Sequence, residues 1–157
     1  MSESMREQFT ASLKSAMKSQ DKIAMSTLRL IMAALKDRDV AARSKGNYDG
    51  INEDEILAML QSMIKQRQDS IALYEQGGRC ELAEQERNEV EIIQQFLPQQ
   101  LEGDELSKVI DDVLTEIDAH SIKDMGKAMG ALKSRYAGQI DFGKASQLVK
   151  QRLAGAA

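Results

Sequence analysis

The chain has 157 residues and a formal net charge of −4, with 42% hydrophobic and 29% charged residues. This length allows one domain or two small ones, and the composition excludes an intrinsically disordered chain and a membrane-embedded one. The lone cysteine, Cys80, cannot form an internal disulfide, and the first residues lack the apolar run of a secretory signal. We therefore predict a cytoplasmic protein that makes no membrane contact.

The apolar residues follow a helical period. Aromatic residues make up only 4%, there is a single proline, and no segment alternates apolar and polar residues as a strand would. We predict an all-α protein, with apolar spacings of three and four residues indicating helices over 4–18, 22–43, 53–76, 81–95, 106–117, 122–136 and 142–153.

Local signals set the limits of these helices and divide the chain. Asn52 and Glu55 have the spacing of a capping box, and Gly77-Gly78 can end a helix in the left-handed conformation. Pro98 forces extended geometry on the residue before it. We predict an amino-terminal helical domain of about four helices over 1–98 and a small three-helix bundle over 99–157. Further N-cap residues are expected at Ser121 and Asp141.

The second predicted helix has apolar residues on two faces. Ile23, Leu30 and Val40 lie opposite its main stripe, so we expect a central helix that is buried on both sides. Four basic residues also recur every seventh position along one flank, either as a secondary anion-binding stripe or as a solvated face: Lys22, Arg29, Lys36 and Arg43.

Positive charge is concentrated at the carboxy-terminal end. Residues 121–157 hold seven basic and two acidic side chains, whereas residues 1–120 carry a net charge of −9. A basic end on an acidic chain is typical of a surface that binds anions, although solvated helices and helix C-termini also favour Lys and Arg. The candidate phosphate-binding residues are Lys123, Lys127, Lys133, Arg135, Lys144 and Lys150.

Two glycines interrupt the sixth predicted helix. Gly126 and Gly130 each cost about 1 kcal/mol relative to alanine in a helix interior, so some close approach should require them. One interpretation is a neighbouring helix of the bundle, and the other is an external ligand such as an RNA backbone, flanked by Lys123 and Lys127.

The sequence lacks the residue patterns of the common catalytic sites. His120 is the only histidine and reads as a solvated turn residue, while Cys80 is interpreted as a buried or inert thiol. Zinc-type ligand sets and phosphate-binding glycine loops are missing, so we predict no catalytic residue, metal or cofactor. Four glutamates of the fourth predicted helix read as a solvated face: Glu84, Glu86, Glu89 and Glu91.

Several segments together resemble the GatB/YqeY family. They follow one another in the family's order and span nearly the whole chain: STLRLIMAALK at 26–36, IKQRQDS at 64–70, YEQGGR at 74–79, FLPQQL at 96–101 and DMGKAMG at 124–130. The resemblance implies an all-α fold and a stand-alone member of the family.

The resemblance also implies a function. A similar module forms the tail of the GatB subunit of glutamine-dependent aminoacyl-tRNA amidotransferase, where it helps to bind tRNA, while catalysis depends on other parts of that enzyme. Our leading hypothesis is thus a non-catalytic module that binds tRNA or another structured RNA. A second is an adaptor that binds a translation-related protein through a methionine-rich face, and the third is carbon-nitrogen ligase activity with glutamine as amido donor. The methionines of that face are Met59, Met63, Met125 and Met129.

Overall fold

The structure is a computed structural model that describes residues 3–155. Within this part of the chain every regular element is a helix, which confirms the all-α prediction. A short 3-10 helix, Ile122–Asp124, precedes the sixth of seven α-helices: α1 (Met5–Ser19), α2 (Lys22–Ser44), α3 (Glu53–Gln76), α4 (Cys80–Gln94), α5 (Gly103–Glu116), α6 (Met125–Arg135) and α7 (Phe142–Gly155).

The chain divides into two compact units, Met1–Leu97 and Pro98–Ala157. In the first unit α3 and α4 pack as a helical hairpin, and α2 lies against α1, α3 and α4. The rings of Phe9 and Phe96 meet edge to face, with centroids 4.9 Å apart, and so tie the end of the unit to α1. The largest fully buried side chains of its core are Phe9, Leu28, Ile31, Ile56, Met59, Leu60 and Ile93.

The predicted signals at the ends of α3 are confirmed. Asn52 Oδ1 accepts a hydrogen bond from the Glu55 amide at 2.9 Å, and Glu55 Oε2 accepts one from the Asn52 amide at 3.0 Å. At the other end Gly78 has φ +72°, and the Arg79 amide donates to the Tyr74 carbonyl at 2.8 Å. Reciprocal capping and a left-handed glycine thus account for both limits.

The prediction that α2 is buried on two faces is wrong. Its main stripe is buried, but Ile23 is 43%, Leu30 46% and Val40 56% exposed. The helices that contact α2 cover only one side of it, so three large apolar side chains face solvent. Met59 and Met63 are buried in the core of the first unit, so these two methionines cannot form part of an exposed methionine-rich face.

The second unit is a small bundle of α5, α6 and α7. Its first residues are held by hydrogen bonds to the loop before α7. The Gln100 side chain donates from Nε2 to the Gly138 carbonyl at 2.6 Å, and the Leu101 amide donates to the Gln139 carbonyl at 2.8 Å. Asp141 caps α7 as predicted, because its Oδ1 accepts the Gly143 amide at 2.9 Å. The buried core consists of Leu106, Ile110, Val113, Leu114, Ala128, Leu132, Ile140, Ala145, Val149 and Leu153.

Candidate nucleic-acid interface

The predicted phosphate-binding residues all have exposed side chains on the second unit. Lys123 lies in the 3-10 helix, and the others lie on α6 and α7. Within the described part of the chain, the side chains of four of them make no ion pair and no hydrogen bond: Lys123, Lys133, Lys144 and Lys150. These four cations are therefore available to an external anion.

The exposed side of α6 is open at its two glycines. Gly126, Gly130 and Lys133 follow the i, i+4, i+7 spacing of one helical stripe, and Lys123 and Lys127 flank it. A Cβ placed on either glycine would meet no heavy atom within 4 Å. The interpretation that a neighbouring helix of the bundle requires these glycines is wrong. We call these five residues the α6 open face.

Lys127 also supports the fold. Its Nζ donates to the Ile117 carbonyl at 3.1 Å, directly after the last residue of α5. A cation there satisfies an unpaired carbonyl and complements the negative end of the helix dipole. An ammonium group has three donors, so this bond leaves Lys127 able to donate to a further acceptor.

The two arginines of this region form ion pairs between helices of the bundle. Arg135 on α6 pairs with Glu116 on α5, and this hydrogen bond raises the pKa of the Arg135 guanidinium. Arg152 on α7 pairs with Asp111, also on α5. To bind a phosphate, Arg135 would have to break its pair with Glu116 or use guanidinium N–H groups that Glu116 does not occupy.

The candidates on α7 are separated from one another around the helix. Lys144 and Lys150 are six residues apart, which places them about 120° apart around the axis. Both are exposed. On α6 the same spacing separates Lys127 from Lys133, so Lys133 lies on the glycine stripe and Lys127 lies to one side of it. Lys144 and Lys150 are separate cations on α7.

The turn before α6 is fixed by one carboxylate that sequence reasoning did not single out. Asp124 Oδ2 accepts the amide of His120 at 2.9 Å and that of Ser121 at 3.3 Å. These hydrogen bonds lower the pKa of the Asp124 carboxyl. The spacing of Ser121 and Asp124 is that of a capping box, which is the signal that could have identified it.

The secondary basic stripe on α2 is exposed as well. None of its four members makes an ion pair within the described residues, and the seven-residue spacing keeps them on one flank of the helix. They are Lys22, Arg29, Lys36 and Arg43. These residues lie in the first unit.

A carboxylate cluster on α4 corrects one sequence interpretation. Glu89 is buried, and its Oε2 accepts from Arg67 Nε of α3 at 3.0 Å. Glu86 lies 3.9 Å from the same nitrogen, and burial followed by the charge of Glu89 raises the pKa of the Glu86 carboxyl. These two glutamates therefore do not belong to a solvated face. The cluster joins α3 to α4.

The remaining sequence candidates offer little chemistry. The imidazole of His120 is exposed and pairs with Asp118, with Nε2 and Oδ1 2.6 Å apart. Cys80 is exposed at the start of α4, so of the two alternatives, a buried or an inert thiol, the buried one is wrong. Over residues 3–155 no three His, Cys, Asp or Glu side chains are grouped to hold a metal ion. No helix in that part of the chain has the length and apolarity to cross a membrane.

Comparison with known proteins places the fold in a family. The family described as Yqey-like protein matches residues 6–153. A relative from Lachancea thermotolerans, "Altered inheritance of mitochondria protein 41, mitochondrial", is 29% identical over 67% of this chain and 55% of its own length. The protein of the same name from Vanderwaltozyma polyspora is 31% identical over 54% of this chain and 44% of its own.

These relatives bear on location and family membership. The chain spans about half the length of the curated relatives it matches. The relatives from Lachancea thermotolerans, Kluyveromyces lactis and Saccharomyces cerevisiae are named as mitochondrial proteins, which contradicts the prediction of a cytoplasmic location. Their names state no enzymatic activity. The family match covers nearly the whole chain, and the chain therefore belongs to the YqeY-like protein family.

Proposed function

We propose that the chain is a non-catalytic module that binds tRNA, through a second unit related to the tail of the GatB subunit. The observation that carries this proposal is the α6 open face, where two uncovered glycines lie among three exposed lysines. Helix stability alone would favour alanine at Gly126 and Gly130. An approaching sugar-phosphate backbone gives these positions a use, because it can come close to the helix and accept from the lysines.

The charge and composition of the surface favour structured RNA over single strands. Base stacking in single-strand binding needs exposed aromatic side chains, and the second unit has only Tyr136 and Phe142, both partly buried against its core. A-form RNA is recognised mostly through its shape and its backbone. An exposed basic helix suits that mode of binding.

The test is a titration of fluorescent bulk tRNA with the full chain and with the Lys123→Glu/Lys133→Glu variant. Both lysines are exposed and hold no partner, so their replacement leaves the bundle intact, whereas Lys127 caps α5 and is kept. The control, Lys18→Glu/Lys65→Glu, makes the same change of charge at exposed positions of the first unit. We expect affinity to fall at least about tenfold in the first variant, as two phosphate contacts become repulsions. Equal losses in both variants would show unspecific attraction and refute the proposal.

A neutral substitution separates shape from charge. Gly130→Gln adds a side chain to the α6 open face without altering any charge, and nothing within 4 Å obstructs it. Glutamine is a good helix former, so the fold should be at least as stable. We expect weaker tRNA binding because the backbone can no longer approach. Undiminished affinity would contradict the role of the glycines.

The assignment of carbon-nitrogen ligase activity has a separate test. Amide transfer from glutamine requires a nucleophile and groups that activate it, and the described residues bring no histidine or cysteine into such an arrangement. We expect no glutamine hydrolysis by the purified chain, with or without tRNA and ATP. Release of glutamate above background would refute the non-catalytic role.

A further inference from the structure

The exposed side of α2 has a seven-residue pattern that the RNA-binding role does not use. Ile23 and Leu30 are seven residues apart, and Ser26, Ala33 and Val40 form a second row with the same spacing. All five side chains are exposed. Two rows with this repeat lie side by side on a helix and form the seam along which another helix packs. We call these five residues the α2 seam.

The basic stripe follows this seam along its whole length. Lys22 directly precedes Ile23, and Arg29 directly precedes Leu30. Lys36 lies between Ala33 and Val40, three residues after the first and four before the second. Arg43 lies three residues after Val40. In a pair of packed helices, positions that flank the seam contact the flanking positions of the partner. Four cations without an ion pair on this flank thus call for acidic residues on the partner.

We propose that the α2 seam docks an amphipathic helix of another protein, one with apolar residues in a heptad repeat and a row of Glu or Asp on its flank. The small side chains of Ser26 and Ala33 let the partner helix come close to α2. Its apolar side chains can then pack against Ile23, Leu30 and Val40. Beside the seam, a groove between α1 and α2 is lined by Thr10, Met32, Ala33 and Lys36 and offers room for a partner side chain.

Asp37 sets the register of this docking. It lies seven residues after Leu30, at the position where a third apolar residue would continue the row of Ile23 and Leu30. A polar residue at one seam position specifies alignment, since the partner must place a polar or basic group opposite it. The partner helix therefore has one such residue among its apolar positions.

The same pattern disfavours the other occupants. If α2 of a second copy packed antiparallel on the α2 seam, the two basic stripes would face and repel each other. In a parallel pair the basic stripe would find no row of acidic residues on the other copy. An RNA backbone would leave Ile23, Leu30 and Val40 without an apolar partner. A membrane surface would have to bury Asp37, which continues the row of Ile23 and Leu30.

The experiment is site-specific photocrosslinking in cells of the source organism. A photoreactive phenylalanine derivative replaces Ala33 at the centre of the α2 seam, and a control places it at Gln85, an exposed position of α4. Mass spectrometry then identifies the attached molecule and its crosslinked segment. We expect one protein adduct from Ala33 and not from Gln85, with a crosslinked segment that has an acidic heptad pattern.

Charge reversal completes the test. Arg29→Glu/Lys36→Glu should reduce the adduct by about tenfold while helical content stays unchanged, because both side chains are exposed and unpaired. Arg29→Gln/Lys36→Gln serves as a milder second variant if the reversal disturbs folding. An adduct with RNA, with lipid or with a second copy of the chain would overturn the proposal. So would no adduct at all, or a protein segment without acidic residues.

This proposal and the RNA-binding role can fail independently. The crosslinks report on α2 of the first unit, whereas the tRNA titration reports on α6 of the second. Loss of tRNA binding in the Lys123→Glu/Lys133→Glu variant should leave the Ala33 adduct unchanged.

Discussion

Replacing Gly130 by alanine should stabilise the protein. Gly130 is in the interior of α6, its φ is not in the left-handed region, and an added Cβ would meet no heavy atom within 4 Å. Alanine exceeds glycine in helix propensity by about 1 kcal/mol. Part of this difference arises because an unfolded chain with alanine has less conformational entropy to lose on folding. No clash offsets this gain. We therefore expect the free energy of unfolding of the second unit to rise by about 0.5 to 1 kcal/mol.

Urea unfolding followed by circular dichroism measures this difference. The midpoint should rise while the dependence on urea stays the same, because the surface exposed on unfolding hardly changes. A loss of stability in Gly130→Ala would show that the α6 open face is packed, and would refute the reasoning. Gly126→Ala should give a smaller gain, since Gly126 is only the second residue of α6.

The same substitution at Gly50 is a control of opposite sign. Gly50 has φ +86°, and a Cβ there would lie 2.6 Å from Asp39 Oδ1 and 3.0 Å from Arg6 Nη2. Alanine would be strained in this conformation and would displace the ion pair, so we expect a loss of about 2 kcal/mol or more. Opposite effects of one chemical change would follow from the two environments alone.

Three further predictions concern ion pairs. The hydrogen bond from Arg6 holds the pKa of the Asp39 carboxyl in the folded protein below its value in the unfolded chain. The pair therefore stabilises the protein at pH values above the pKa of the unfolded chain, and this stabilisation is lost as the pH falls through the pKa of the folded protein. Asp39→Asn should thus reduce the loss of stability at acid pH. Burial raises the pKa of the Glu86 carboxyl, so its ionisation lowers the free energy of unfolding as the pH rises. Glu86→Gln removes this charge and should raise the melting temperature at neutral pH. Glu89→Ala leaves the partly buried Arg67 with only Glu86 nearby and should lower the free energy of unfolding, measured in urea, by up to about 3 kcal/mol.

Local sequence signals were sufficient to predict the helices. The limits of α3 follow from a capping box and a glycine pair within a few residues of each end, and both appear in the structure. The start of α6 was less predictable. Ile122–Asp124 forms a 3-10 turn fixed by backbone hydrogen bonds to Asp124, which apolar spacing does not report.

Contacts between distant residues could not be predicted. Arg67 and Glu89 are 22 positions apart, and Arg135 and Glu116 are 19 apart, so only the packed helices bring them together. Periodicity also shows that α2 has a second apolar row without showing whether the chain itself covers it. For this reason the apolar pattern predicts a buried Leu30, whereas the side chain is 46% exposed.

The measurement that tests the RNA-binding role most directly is a tRNA titration with the unmodified chain at ~50 mM and ~200 mM salt, against a duplex RNA of equal charge. If four phosphates are neutralised, affinity should fall about a hundredfold between the two concentrations. We expect this fall and tighter binding of tRNA than of the duplex. Equal affinity for both RNAs, or no binding at the lower salt concentration, would contradict the proposed function.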